Sequence, residues 1–209
     1  MTQTRLGRRQ FAALALSAAS LALLPRAAAA KALPLSDISK YLNGLQTVKS
    51  VFTQINSDGT ISKGTLYIHR PGRVRFEYDP PEKSLVMAGG GQVAIFDSKS
   101  NVPPEQYPLS KTPLSIILER NVDLARRDMV VGHSEDGPAT VVTAQDPEHP
   151  EYGNIQMKFT ADPVELRQWV ITDDAGSQTT VILGALEKGV ELPSTLFNIP
   201  YESEKRGFR

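Results

Sequence analysis

The sequence predicts a mainly β protein: an antiparallel sheet curled on itself, with helical material on one side. Three observations predict it. After one amphipathic helical stretch, about nine to eleven short β-rich runs follow at hairpin-length spacing. Crossover helices between the runs are missing, which argues against a βαβ protein. Several runs carry apolar residues on both faces, so the second face of the sheet needs a cover or a ligand.

Residues 1–30 read as a secretory signal to be removed before folding. Arg5, Arg8 and Arg9 form a positive head, Phe11 to Leu24 is apolar apart from Ser17 and Ser20, and Ala27 to Ala30 suits a signal peptidase. The apolar stretch is short for a transmembrane helix. Gly7-Arg8-Arg9-Gln10-Phe11 resembles a twin-arginine export signal, the alternative being an ordinary signal with adjacent basic residues. The remainder, 31–209, is one domain's length. Of 23 basic and 23 acidic residues the leader holds four arginines and no acid, so the remainder carries a formal net charge of −4. That argues against a general nucleic-acid binder. The chain has no cysteine, which excludes disulfides, thiolate nucleophiles, thiolate metal sites and a lipid anchor on a cysteine.

Residues 36–47 read as the helix, with Ser36 as a cap and Ile38, Tyr41, Leu42 and Leu45 on one apolar face. Val48 to Ile55 is the first strand, closed by the Ser57-Asp58-Gly59 turn. Thr65 to His69 follows, then Arg70-Pro71-Gly72 breaks the pattern. Arg73 to Tyr78 alternates with Val74, Phe76 and Tyr78 on one face. Leu85 to Ala88 and Gln92 to Asp97 make a hairpin around Gly89-Gly90-Gly91. Prolines 103, 104, 108 and 113 interrupt residues 98–114, and Leu114 to Leu118 is a short apolar helix. It is either a lid or a plug at one end of the sheet. Further strands are expected at 129–132, 139–144, 154–159, 166–172 and 178–183. In 166–171, Leu166 and Val170 are expected to oppose Trp169 and Ile171. Periodicity leaves open whether the interior is filled, as in a sandwich, or hollow.

Catalytic signals are weak. His69, His133 and His149 form no HxH or HExxH pair, Ser84 and Ser177 sit in no nucleophile elbow, and Gly89-Gly90-Gly91 leads into a strand rather than a helix. No catalytic residue, metal ligand or cofactor site is assigned. Arg70 is singled out because it ends an apolar strand directly before a proline, which biases it to an extended backbone. Its guanidinium can reach carbonyls or a carboxylate at the rim of the sheet, or be an exposed solubilising group.

At this point the residues resemble the family of periplasmic outer-membrane lipoprotein carriers, LolA, over about residues 35–200. Phe52-Thr53-Gln54 matches its F-x-Q. Gly64-Thr65-Leu66 through Arg70-Pro71-Gly72 to Tyr78-Asp79-Pro80-Pro81 is similar to its G-x-L, R-P-G and Y-x-x-P run. Pro108 to Leu114, and Arg167-Gln168-Trp169-Val170-Ile171-Thr172-Asp173 with Gly176 to Thr180, resemble later segments. Phe76 stands where many members have tryptophan, and the family's frequent L-P-L-G is replaced by Ala161 to Leu166.

The resemblance implies an unclosed antiparallel β-barrel with an α-helical lid. It implies a periplasmic, monomeric, non-enzymatic chaperone without a cofactor. Its cargo would be triacylated lipoproteins, received from an inner-membrane ATP-driven complex and passed to an outer-membrane receptor. By the same likeness Arg70 is the arginine that contacts the lid and serves cargo transfer. Candidate cavity residues are Phe52, Phe76, Tyr78 and Leu85 on the early strands, with Ile95, Leu114, Ile117 and Trp169 further on. Relatives of this fold also carry other lipids or act as regulators, so the alternative is a lipid-binding or lipoprotein-sensing regulatory module.

Overall fold

In a computed structural model, residues 31–126 and 128–208 are described; the expected export signal, 1–30, lies outside them. The chain opens with α1 (Leu35–Gly44), whose apolar stripe buries Ile38 and Leu42. Pro34 precedes it and no side chain caps it, so Ser36 does not play the expected role. Asp37 in the first turn instead complements the positive end of the helix dipole. The helix stops at Gly44, and Leu45 is already extended.

The strands β1 (Thr47–Ile55), β2 (Ile61–His69), β3 (Arg73–Tyr78), β4 (Leu85–Gly89) and β5 (Gln92–Phe96) form an antiparallel meander. Gly90 and Gly91 sit at φ of 60° and 80°, the left-handed pair that a tight two-residue hairpin requires between β4 and β5. Then come β6 (Glu105–Pro108), α2 (Leu114–Leu118), β7 (Val130–Asp136), β8 (Ala139–Gln145) and β9 (Asn154–Thr160). The chain continues through β10 (Glu165–Thr172), β11 (Gln178–Leu183), the two-residue β12 (Glu187–Lys188) and α3 (Ile199–Lys205). One strand was expected where β7 begins, and the proline-rich segment was expected to hold little regular structure. It nevertheless adds β6, whose Pro108 is tolerated because the strand is an edge.

All strands join one sheet, in the order β6-β5-β4-β3-β2-β1-β11-β10-β9-β8-β7, with β12 on β1. The chain returns from β11 to β1, register Phe52 to Leu183. The edges β6 and β7 are not paired with each other, so the curled sheet stays open. The interior face packs with α1 and α2 into one apolar cluster that includes Leu42, Phe52, Leu66, Ile117 and Trp169. A second cluster, Leu85, Met87, Ala94, Phe96 and Ile199, lies where α3 covers the other face of β4 and β5. Asn198 caps α3 by accepting the Tyr201 amide at 2.9 Å.

Leu166 and Trp169 do not oppose each other, contrary to the expectation from alternation. A register shift between Leu166 and Gln168 inserts an extra residue, and both side chains point inward, each 2% exposed or less.

Candidate functional site

The concave face encloses a hollow of about 610 Å³. Its depth is apolar, walled by Phe76, Val86, Val93, Trp169 and Val181, with Leu114 of α2 on the lid side. Its rim is polar and carries Glu105, Lys111, Asp173 and Asp174. The wall's polar pair is internally satisfied. Tyr78 donates its hydroxyl to Gln54 Oε1 at 2.8 Å, and burial pushes that hydroxyl up to about 12, so it stays a neutral donor. Phe52 lies behind this wall, edge-on to Phe76 at 5.3 Å and to Tyr78 at 5.2 Å. Gly64, paired with Tyr78 on one side and Phe52 on the other, is where a side chain would not fit. A Cβ there would meet the Glu77 carbonyl oxygen at 2.0 Å and the Phe52 ring at 2.9 Å.

Of the candidate cavity residues, Phe76, Tyr78, Leu114 and Trp169 line the hollow. Phe52 and Ile117 are buried in the adjoining core. Ile95 is half-buried on the face of Val93, outside the lining. Leu85 does not join them; it lies on the opposite face of β4, against Met87, Phe96 and Ile199. Both faces of β4 and β5 are apolar, so alternation alone leaves their phase undetermined, and Val86 rather than Leu85 faces inward. The rim residues Asp173 and Asp174 read only as turn chemistry in the sequence.

Arg70 is 5% exposed, not a solvated surface group. Its guanidinium donates to the Leu42 carbonyl on α1, to the Glu119 carbonyl just after α2, and to Asn43 Oδ1 at 3.3 Å. Burial pulls its pKa down, and the Glu119 carboxylate offsets part of that effect. The same loop acts through its backbone: Arg70 N donates to Gln46 O, and Gly72 N to Leu118 O, each at 2.8 Å. Charge-assisted bonds of this kind contribute about 1.5–3 kcal/mol each.

Sequence reasoning missed two further clasps on the polar side of α1. Asn43 donates to Val122 O at 2.8 Å and accepts from Val122 N at 2.9 Å. Ser39 accepts the Leu124 amide at 3.0 Å while bonding back to Leu35 O at 2.8 Å. These contacts join α1 to the segment after α2 in one layer over the sheet. At the far side of α1, the Tyr41 hydroxyl accepts the Leu166 amide at 3.0 Å.

On the outer face, Arg75 is also buried, at 5% exposed. It bonds Glu202 of α3 at 3.1 Å, Leu196 O at 3.1 Å and Glu77 at 2.7 Å. Burial pushes the Glu202 carboxyl up, but Arg206 and Arg75 outweigh it and hold it below its usual value.

Among the described residues there is no group of three or more side chains suited to hold a metal. An apolar hollow with a polar rim, beside helices pinned by a buried arginine, is the kind of site a carrier presents. The chain belongs to the family of the outer membrane lipoprotein carrier protein LolA, whose sequence profile matches residues 43–200. It is a non-catalytic periplasmic carrier for outer-membrane lipoproteins.

An outer-membrane lipoprotein carrier protein of Dechloromonas aromatica is 27% identical over 191 residues, 87% of this chain and 89% of the relative. One of Azotobacter vinelandii is 23% identical over 199 residues, 91% and 94% of the two chains. The solved structure of a LolA superfamily protein from Nitrosomonas europaea covers 81% of this chain and all of its own. It shares 9% identity, with a TM-score of 0.45.

Proposed function

We propose that residues 1–30 direct export and that the rest of the chain carries lipoproteins by their acyl chains. It takes triacylated lipoproteins from an ATP-driven complex in the inner membrane and hands them to an outer-membrane receptor. The observation that supports this reading most is the hollow of about 610 Å³ under helices that the Arg70 loop holds down.

Magnitudes indicate how it works. Each methylene kept from water is worth about 0.8 kcal/mol, so three acyl chains, on the order of 40 methylenes, cannot cross the periplasm unshielded. At about 30 Å³ per water-sized group the hollow has room for on the order of 20 such groups. The preformed space therefore holds only part of the cargo, and the rest needs the volume now filled by α1 and α2. Loading lifts the lid at the expense of the Arg70 bonds; reforming those bonds favours release. No nucleotide is needed at the handover, only a receptor that shelters the chains better.

The test is mass spectrometry of material copurifying with the chain from periplasm when release to the outer membrane is blocked. Acylated lipoproteins are the expected result. A membrane-bound regulator recovered without acylated cargo, or acyl-free protein alone, would contradict the proposal.

A further inference from the structure

A second cleft, of about 440 Å³, opens on the outer face of the sheet, where β3 begins. Its polar lining includes Arg73, Gln92, Gln106 and Ser194. Gln92 and Gln106 alternate along β5 and β6 with Val93, Glu105 and Tyr107, which line the inner hollow. The two spaces therefore lie on opposite faces of the sheet and share no lining residue. Gln92, Gln106 and Ser194 are exposed and Arg73 is half-buried, so all four are open to the solvent of the cleft. Phe197, Ile199 and Pro200 form its apolar wall. That wall is held close: a Cβ on Gly89 would meet the Phe197 carbonyl oxygen at 2.0 Å, so β4 and the turn before α3 pack backbone to backbone.

Arg73 Nε donates to the His69 carbonyl at 3.2 Å, which anchors the guanidinium and leaves its two terminal nitrogens for another acceptor. Among the described residues no ion pair engages Arg73, and no acidic side chain lines the cleft. Arg75, two residues on, is by contrast satisfied by Glu77 and Glu202. We infer that the cleft binds the C-terminal carboxylate of a peptide that ends in an apolar residue. Arg73 receives the carboxylate, because a guanidinium fork matches it with two parallel bonds. The last side chain lies against Phe197, Ile199 and Pro200. Gln92, Gln106 and Ser194 can each donate or accept, which suits a peptide backbone and adds no charge. At about 30 Å³ per water-sized group the cleft has room for on the order of 15 such groups, about two residues. Earlier residues can run along β6, the edge of the sheet, which has no further strand beside it among the described residues. The start of α3 supplies wall rather than recognition, since Asn198 Oδ1 already accepts the Tyr201 amide. Because the cleft and the hollow lie on opposite faces, the peptide does not compete with acyl chains.

The test is an NMR titration of the purified chain with acetyl-Ala-Leu, which has a free carboxylate, and with its C-terminal amide. The acid should bind at least about tenfold more tightly, the worth of one charge-assisted bond. Shifts should gather at the Gly90 amide, the side-chain amides of Gln92 and Gln106 and the Arg73 Nε–H, and leave the Trp169 indole signal in place. Arg73→Gln should remove the preference for the acid. Gln106→Glu changes an exposed residue on an edge strand and sets a like charge in the cleft. It should weaken the acid and not the amide.

Acetate, inorganic phosphate and acetyl-aspartate amide, run as competitors, separate the sources of the anion. Displacement of acetyl-Ala-Leu only by a large excess of each supports a peptide C-terminus. Displacement by acetate or phosphate at the concentration of the peptide would overturn the inference and leave a simple anion site. Equal competition by acetyl-aspartate amide would overturn it in favour of an acidic side chain. Equal affinities for acid and amide, shifts centred on the hollow, or no saturable shift with either peptide would overturn it outright. None of these results bears on the acyl-carrier reading, which concerns the other face of the sheet.

Discussion

Arg70 donates to Asn43 Oδ1 at 3.3 Å, and the same oxygen accepts the Val122 amide at 2.9 Å. One amide oxygen thus ties the sheet, α1 and the segment after α2 together. The lid is held by a few polar bonds set in apolar surroundings, which is why single substitutions there are informative.

Arg70→Leu should leave loading intact and impair transfer. The closed, empty state loses its charge-assisted bonds, so the loaded state gains relative stability. At about 1.5–3 kcal/mol for one such bond, handover should slow by at least about tenfold. An in vitro transfer assay to the outer-membrane receptor reads this directly, and handover at the wild-type rate would contradict it.

Asn43→Ala should loosen the lid locally without unfolding the sheet. Hydrogen exchange of the Val122 amide should accelerate about tenfold, the loss of about one buried hydrogen bond. The Leu124 amide, held by Ser39, provides the internal comparison and should change less. Equal acceleration at both positions would mean that the segment does not depend on the two clasps separately.

The strands of the early meander were legible because hairpin-length turns separate them and Val74, Phe76 and Tyr78 alternate cleanly, and α2 was legible because Leu114 to Leu118 is one apolar run directly after Pro113. Arg70 stood out through its position before Pro71, though only the fold could bring Leu42, Asn43 and Glu119 around it from far along the chain. Three features were illegible for physical reasons. The phase of β4 and β5 is hidden because both faces are covered, one by the lid side and one by α3. The bulge at Leu166 to Gln168 leaves no mark in composition. The burial of Arg75 depends on Glu202, 127 residues away.

Glu202→Gln should destabilise the folded chain by about 3 kcal/mol at neutral pH, since it leaves Arg75 buried with a lost ionic partner. Because the Glu202 carboxyl is held below its usual value, its contribution is complete above the unfolded carboxylate range. It is lost as pH falls from about 4.3 through the lower folded value. Denaturant melts of both proteins should therefore differ at pH 7 and converge in acid. A difference independent of pH would show that the ion pair is not its source.

Gly64→Ala should lower the urea midpoint, with a loss of about 1–3 kcal/mol, because the added methyl meets the Glu77 backbone and the Phe52 ring. Wild-type stability in that variant would mean that β2 and β3 can part there without strain.

Trp169 is the chain's sole tryptophan and it lines the hollow, so its fluorescence reports whether acyl chains enter. The most direct measurement is titration with a lipopeptide whose acyl chains carry bromine, a contact quencher. Saturable quenching at one lipopeptide per chain, reversed by unbrominated lipopeptide, is the predicted result. Emission unchanged at saturating lipopeptide would mean that the tails do not reach the space enclosed by the sheet, and would contradict the account.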